Sequence, residues 1–190
     1  MKRYILVTLL FLQISCSPSL GKTVSVDSIP EPISENATTT FSGAKIRVER
    51  FADARPKIEI GEVNGRTMNP EGDIGVSVQH AFESYLRNSG ATLALFDAPS
   101  SVSGEVTAWR VSVKPGFPTS FLEGEASIRV KVSNEKNEVV YRGIYSGSTT
   151  TQHPFPGQST AESVLGDAMS QAIGEALKDN KLQESIDKRG

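Results

Sequence analysis

A two-layer α+β sandwich, with a mainly antiparallel sheet covered by two amphipathic helices in the order β-β-α-β-β-β-β-α, is predicted by three observations. Apolar residues recur at helical spacing in two windows, Val78 to Leu86 and Val164 to Leu177. Between Val102 and Tyr145 they alternate with polar residues at a period of two, which is strand patterning. One-sided helices and a one-sided sheet bury their apolar faces by packing on each other.

The elements follow in order. Ile46 and Val48 alternate with Lys45, Arg47 and Glu49, a half-buried first strand, and Asp53-Ala54-Arg55-Pro56 turns the chain after Phe51. A second strand is expected from Ile58 to Val63, with a turn at Asn64-Gly65 and a loop over Asn69-Pro70-Glu71-Gly72-Asp73. The first helix is expected from about Ile74 to Ser89, with Val78, Ala81, Phe82, Tyr85 and Leu86 as its stripe and Gly90 as a left-handed cap. Thr92 to Phe96 reads as a strand.

A three-stranded meander then begins at Val102. Val102, Val106 and Ala108 share one face while Trp109, Val111 and Val113 share the other, so a bulge is expected between Ala108 and Trp109. Ala126, Ile128, Val130 and Val132 form the middle strand, Asn134 to Asn137 a tight connection, and Val139, Tyr141, Gly143 and Tyr145 the return. In the last helix, Ser159 and Glu162 read as a capping box. Val164, Leu165, Ala168, Met169, Ala172, Ile173, Ala176 and Leu177 make a stripe over four turns, and Leu182 and Ile186 pin a short final turn.

The first 43 residues are organised differently. Lys2 and Arg3 precede an apolar run from Tyr4 to Ile14, a secretory signal pattern too short to span a bilayer, which takes about 20 apolar residues. The run ends Leu12-Gln13-Ile14-Ser15-Cys16, which resembles the lipobox of bacterial lipoproteins, with Gln13 departing from the usual aliphatic residue. That resemblance implies cleavage before Cys16, a diacylglycerol on its sulfur and an acylated amine. Two or more acyl chains make a stable anchor, whereas one holds only reversibly. Ser17 resembles the residue that directs such proteins to the outer membrane, facing the periplasm. The chain's single cysteine has no partner within the chain for a disulfide, which suits the same reading. The expected organisation is a signal over residues 1–15, the lipidated cysteine and a flexible tether over 16–43, and one α+β domain over 44–187. Within the tether, Val24-Ser25-Val26 and Ile29-Pro30 are apolar enough to lie extended against the domain.

Composition narrows the function. Loss of residues 1–15 removes Lys2 and Arg3 from the 20 basic residues and none of the 22 acidic ones, leaving a formal charge of −4 and arguing against nucleic acid as a partner. The two histidines, His80 and His153, belong to no metal-ligand spacing, and neither a CxxC pair nor a Gly-x-Ser-x-Gly elbow occurs. The chain is read as non-enzymatic, with no cofactor and no metal. Asp53 and Arg55 are read as a turn carboxylate and its local partner.

Strand polarity brings two Pro- and Phe-rich loops, Lys114 to Phe121 and Gln152 to Gly157, to one end of the meander. Phe117, Phe121 and Phe155 are therefore either a contact site for a partner in the envelope or a plug closing that end of the core. The function expected is a lipid-anchored module that binds a protein or other envelope component. The alternative is a small-ligand or lipid carrier with a cleft between helix and sheet, against which the small residues Ala168, Ala172 and Ala176 argue for a filled core.

The lipobox at Cys16, Ile29-Pro30-Glu31-Pro32, Asp53-Ala54-Arg55-Pro56, the hairpin from Ile128 to Tyr145, and Leu165-Gly166-Asp167-Ala168 with Asp179-Asn180-Lys181-Leu182 together resemble the YajG-like family of bacterial envelope lipoproteins. The resemblance implies the location and the α+β fold. It carries over no catalytic residue.

Overall fold

The computed structural model describes residues 22–25, 29–30 and 41–187; the signal segment 1–15 and Cys16 lie outside them. Three 15-residue strands, β7 (Ser100–Lys114), β8 (Ser120–Asn134) and β9 (Val139–His153), form the expected antiparallel meander. The other edge of β7 pairs in succession with β2 (Lys45–Val48), β3 (Ala52–Asp53) and β4 (Gly61–Val63), all parallel to it. β6 (Thr92–Leu93) pairs parallel with β2, β5 (Arg66–Glu71) pairs antiparallel with β4, and β1 (Lys22–Ser25) pairs parallel with β5.

Helices cover one face. α1 (Ile74–Asn88) buries Val78, Ala81, Phe82 and Leu86, as its stripe predicts; Asp73 caps it by accepting from the amides of Gly75 and Val76. Phe82 stacks on Phe51 at 5.2 Å between ring centroids. α2 (Gln158–Lys178) lays its apolar stripe on β8 and β9, and α3 (Asn180–Asp187) follows, with Leu182 and Ile186 buried. Along β8, Leu122, Ala126, Ile128, Val130 and Val132 face this layer. The opposite face is a polar ladder in which Glu105 pairs with Arg129 and Lys131, Arg110 with Glu125, and Lys114 with Glu123. Such exposed pairs contribute little each, so the stability sits on the helix side.

Five expectations are corrected. The bulge falls earlier, between Val106 and Ala108, so Thr107 is the extra residue; Trp109 and Val111 thereby rejoin Val102 and Val106 on the buried face, and Ala108 alone points the other way. The Asn64-Gly65 turn closes a true hairpin, with positive φ at both residues (53° and 72°), and the expected loop at Asn69-Pro70 is the end of β5. Past Met68, β5 pairs among the described residues with β1 alone, and an edge position of this kind tolerates Pro70. The expected strand over Thr92 to Phe96 shortens to Thr92–Leu93, and Leu95 and Phe96 are exposed. At α2 the cap is Gly157 and no capping box forms; Glu162 instead accepts from the Ser25 amide and from Gln158.

The fifth correction concerns the tether. Lys22–Ser25 is a strand of the sheet with Val24 wholly buried, and Phe41 is 1 % exposed, so these pieces belong to the folded domain. Ser170 donates to the Pro30 carbonyl at 2.5 Å, holding the next piece along α2. The remainder of 16–43 lies outside the described residues.

Candidate functional site

The two poles of the meander differ. At one, Asn134 to Asn137 make a compact polar turn, with the Asn134 carboxamide oxygen accepting from the amides of Lys136 and Glu138. At the other, the β7–β8 loop and the segment after β9 meet, because Ser120 is paired with His153. Phe117, in the first of these, is 101 % exposed, and Phe155, in the second, is 84 % exposed. Phe121 is 38 % exposed and sits on the polar-ladder face beside the Gly116 turn. Phe117 and Phe155 are therefore not a core plug. Near this end of β8, Leu122 is wholly buried.

The Asn64-Gly65 turn also reaches this pole, where the Asn64 side-chain Nδ2 donates to the Pro156 carbonyl. β1 begins here too. Lys22 pairs with Met68, near the turn, and Ser25 with Glu71, away from it, so the N-terminal end of β1 is the end toward the Phe117–Phe155 pole.

Asp53 and Arg55 form the local pair expected of a turn, bidentate at 2.8 and 2.7 Å, and that pair lowers the Asp53 pKa against a smaller effect of burial. The Arg55 side chain is nearly buried and lies over the Trp109 ring, 5.9 Å from its centroid. A surface groove of about 570 Å³ lies between the 55–62 segment and β7 at the bulge. It is not the helix-to-sheet cleft a carrier would use. That interface is closed, because Gly124 and Gly147 bring β8 and β9 so near α2 that an added Cβ would meet the Val164 and Ala168 carbonyl oxygens at 2.4 and 2.1 Å.

One polar cluster escapes sequence reasoning. Asp179, at the α2–α3 junction, accepts from the Tyr141 and Tyr145 hydroxyls at 2.7 and 2.9 Å and from the Lys181 amide at 2.8 Å. Gly143 leaves the space in which the two hydroxyls meet; a Cβ there would come within 2.5 and 2.7 Å of them. The signal in the sequence is Tyr-x-Gly-x-Tyr on one strand face, but its acid lies 34 residues or more away.

The cluster ties the last strand to the last helices. The Tyr141 hydroxyl bond, then that of Tyr145, lowers the Asp179 pKa below 3.8, against desolvation. Burial first, then the hydroxyl and carboxylate neighbours, raises Tyr145 far above 10. A depressed carboxylate stabilises the fold above its unfolded value and loses that contribution as pH falls; a raised phenol stabilises below its unfolded value and loses it as pH rises. Urea midpoints are expected to be level from about pH 5 to 9, falling below pH 4 and above pH 10. Asp179→Asn is expected to make the acid limb shallower without removing it, because Asp53 and Glu105 are lowered by their own basic partners; an unchanged limb would assign the acid loss wholly to those groups.

His80 is exposed on α1, and His153 Nδ1 accepts from the Phe155 amide at 3.1 Å. Among the described residues no group of three His, Cys, Asp or Glu side chains is placed to hold a metal ion.

The fold is similar to that of protein XCC0632 from Xanthomonas campestris (TM-score 0.55, 8 % identity, covering 77 % of this chain and 89 % of that one). It is also similar to the hypothetical protein CT253 from Chlamydia trachomatis (TM-score 0.52, 11 % identity, 76 % and 98 % covered). At such identities the likeness concerns architecture alone. No curated protein matches the chain. Residues 31–187 match the Lipoprotein_16 family, described as uncharacterized lipoprotein.

Proposed function

Because the chain belongs to this family of uncharacterised lipoproteins, we propose that it is a lipid-anchored, non-enzymatic module of the bacterial envelope. Cys16 carries the lipid, the domain faces the periplasm from the outer membrane, and the Phe117–Phe155 pole is its contact surface for another envelope component. The observation that carries this reading is the exposure of two phenylalanines, 101 % and 84 %, on adjacent loops of one pole. A soluble domain leaves single apolar residues exposed without consequence; large ones gathered at one place mark a contact. Family membership and the Leu12 to Cys16 motif support the anchor. No described helix is long and apolar enough to cross a membrane.

The test has two parts. Cells fed a palmitate analogue are expected to label the wild-type chain and not Cys16→Ala; label retained by the variant would overturn the anchor. Phe117→Ser with Phe155→Ser is expected to leave the urea midpoint within the equivalent of about 0.5 kcal/mol while abolishing capture of the chain's neighbours by crosslinkers placed at 116 and 154. A loss of several kcal/mol, as for core truncation, would make the loops structural.

A further inference from the structure

We infer that the envelope component seated on the Phe117–Phe155 pole is the lipid surface that holds the chain's own anchor. This rests on the reading of Cys16 as lipidated and of the pole as a contact surface, and it names the partner of that surface.

Chain geometry selects the occupant. β1 runs parallel to β5, and its first residue, Lys22, lies toward the Asn64-Gly65 turn, at the end of the sheet that carries both phenylalanines. Six peptide steps separate Cys16 from Lys22, a reach of at most about 20 Å for a fully extended chain. A small folded domain is about 30 Å across. The gap between anchor and pole is therefore too narrow for a folded protein, but it admits direct contact with the bilayer. Slack cannot be drawn from β1: Val24 is buried in the core and the Ser25 amide is held by Glu162 of α2.

The shape of the pole agrees. Phe117 stands in Pro115-Gly116-Phe117-Pro118 and Phe155 in Pro154-Phe155-Pro156. Proline restricts its own φ and the conformation of the residue before it, so these loops present their rings outward as knobs. Protein partners take knobs into matching pockets, whereas a bilayer interface receives them without one, as it does the apolar side chains of interfacial anchors. Arg66, exposed beside the pole, suits anionic headgroups. The strands of the meander, each 15 residues long, would then stand away from the membrane, with the Asn134–Asn137 turn about 50 Å above it.

The experiment uses the full lipidated chain. With the Cys16 sulfur in thioether linkage, Phe117→Cys or Phe155→Cys introduces the only free thiol, to which an environment-sensitive fluorophore is attached. Asn137→Cys, at the far pole, carries the same dye as control. In phosphatidylethanolamine–phosphatidylglycerol vesicles, the dyes at 117 and 155 are expected to brighten several-fold and shift to the blue. They are also expected to be quenched by spin-labelled lipid and shielded from iodide, while the dye at 137 remains fully open to iodide. Equal iodide quenching at 117, 155 and 137 would overturn the inference. Shielding at 117 that arises only in native envelopes, without lipid quenching, would also overturn it, leaving a protein contact at the same pole. Dye incorporation at Cys16 of the wild-type chain would remove the anchor itself, and with it both readings.

Discussion

Gly147→Val is expected to be among the most damaging single substitutions in the chain, although it adds an apolar side chain to a buried site. An added Cβ would sit 2.1 Å from the Ala168 carbonyl oxygen and 2.8 Å from the Ala172 amide nitrogen, both α2 backbone. Backbone atoms cannot rotate away as a side chain can, so the whole helix must lift. Lifting it separates Ala168, Ala172 and Ala176, each wholly buried, from the sheet. Overpacking typically costs about 1–3 kcal/mol, with more expected where a helix must move. At about 2–4 °C per kcal/mol, the melting temperature is expected to fall by roughly 10 °C. Gly174, on the same helix, has nothing within 4 Å of an added Cβ. There, Gly→Ala is expected to stabilise by about 0.5–1 kcal/mol, since glycine is a poor helix residue. Opposite signs for the two glycines would establish the close approach of α2 to β9; a neutral Gly147→Val would refute it, and with it the closed interface that excludes a carrier cleft.

Trp109→Ala is expected to cost about 3–5 kcal/mol, the range for truncating a large buried aromatic. The ring is 2 % exposed, lies beneath the Arg55 guanidinium, and donates its Nε1 hydrogen to the Leu165 carbonyl at 3.2 Å. Trp109→Phe separates these effects. It keeps most of the apolar contact but leaves the Leu165 carbonyl without that donor, for an expected loss of about 1–3 kcal/mol. Far-UV circular dichroism during urea unfolding is the appropriate measurement, because the chain's only tryptophan is the residue removed. Equal losses in both variants would mean that the hydrogen bond dominates the site.

Much of the fold was legible because its main elements declare themselves through near neighbours in sequence. The α1 stripe, the period-two runs of β7, β8 and β9 and the stripe of α2 report which residues share a face; most of those residues are buried, while Tyr85, Val113, Tyr141 and Tyr145 are only partly so and Val139, at the start of β9, is exposed. The bulge was legible from the phase change before Trp109, but its position was not: apolar pattern fixes only that one extra residue is inserted, and the register with β8 decides that Thr107 is that residue. The Ser159–Glu162 pattern misled because capping is a local competition, and the Glu162 carboxylate is taken by the Ser25 amide, 137 residues distant.

Of the candidate site, the sequence supplied the residues and their common pole, since strand polarity alone puts the 114–121 and 152–157 loops at one end. Whether the rings turn inward or outward was open, because an apolar residue in a loop satisfies either reading. Exposure of Phe117 and Phe155 answers it.

By itself, then, the sequence determined the α+β class, the faces of the long elements, the Phe-rich pole and the lipoprotein character that family membership supports. Each of these depends on spacing along the chain, which periodicity and short motifs record. Only the tertiary structure decided that Lys22–Ser25 joins the sheet, that β2, β3 and β4 run parallel to β7, that Tyr141, Tyr145 and Asp179 converge, and that β1 has its first residue toward the Phe117–Phe155 pole. Those arrangements are chosen by how much apolar surface distant segments bury together and by which edges remain unpaired, quantities that no local stretch of sequence contains.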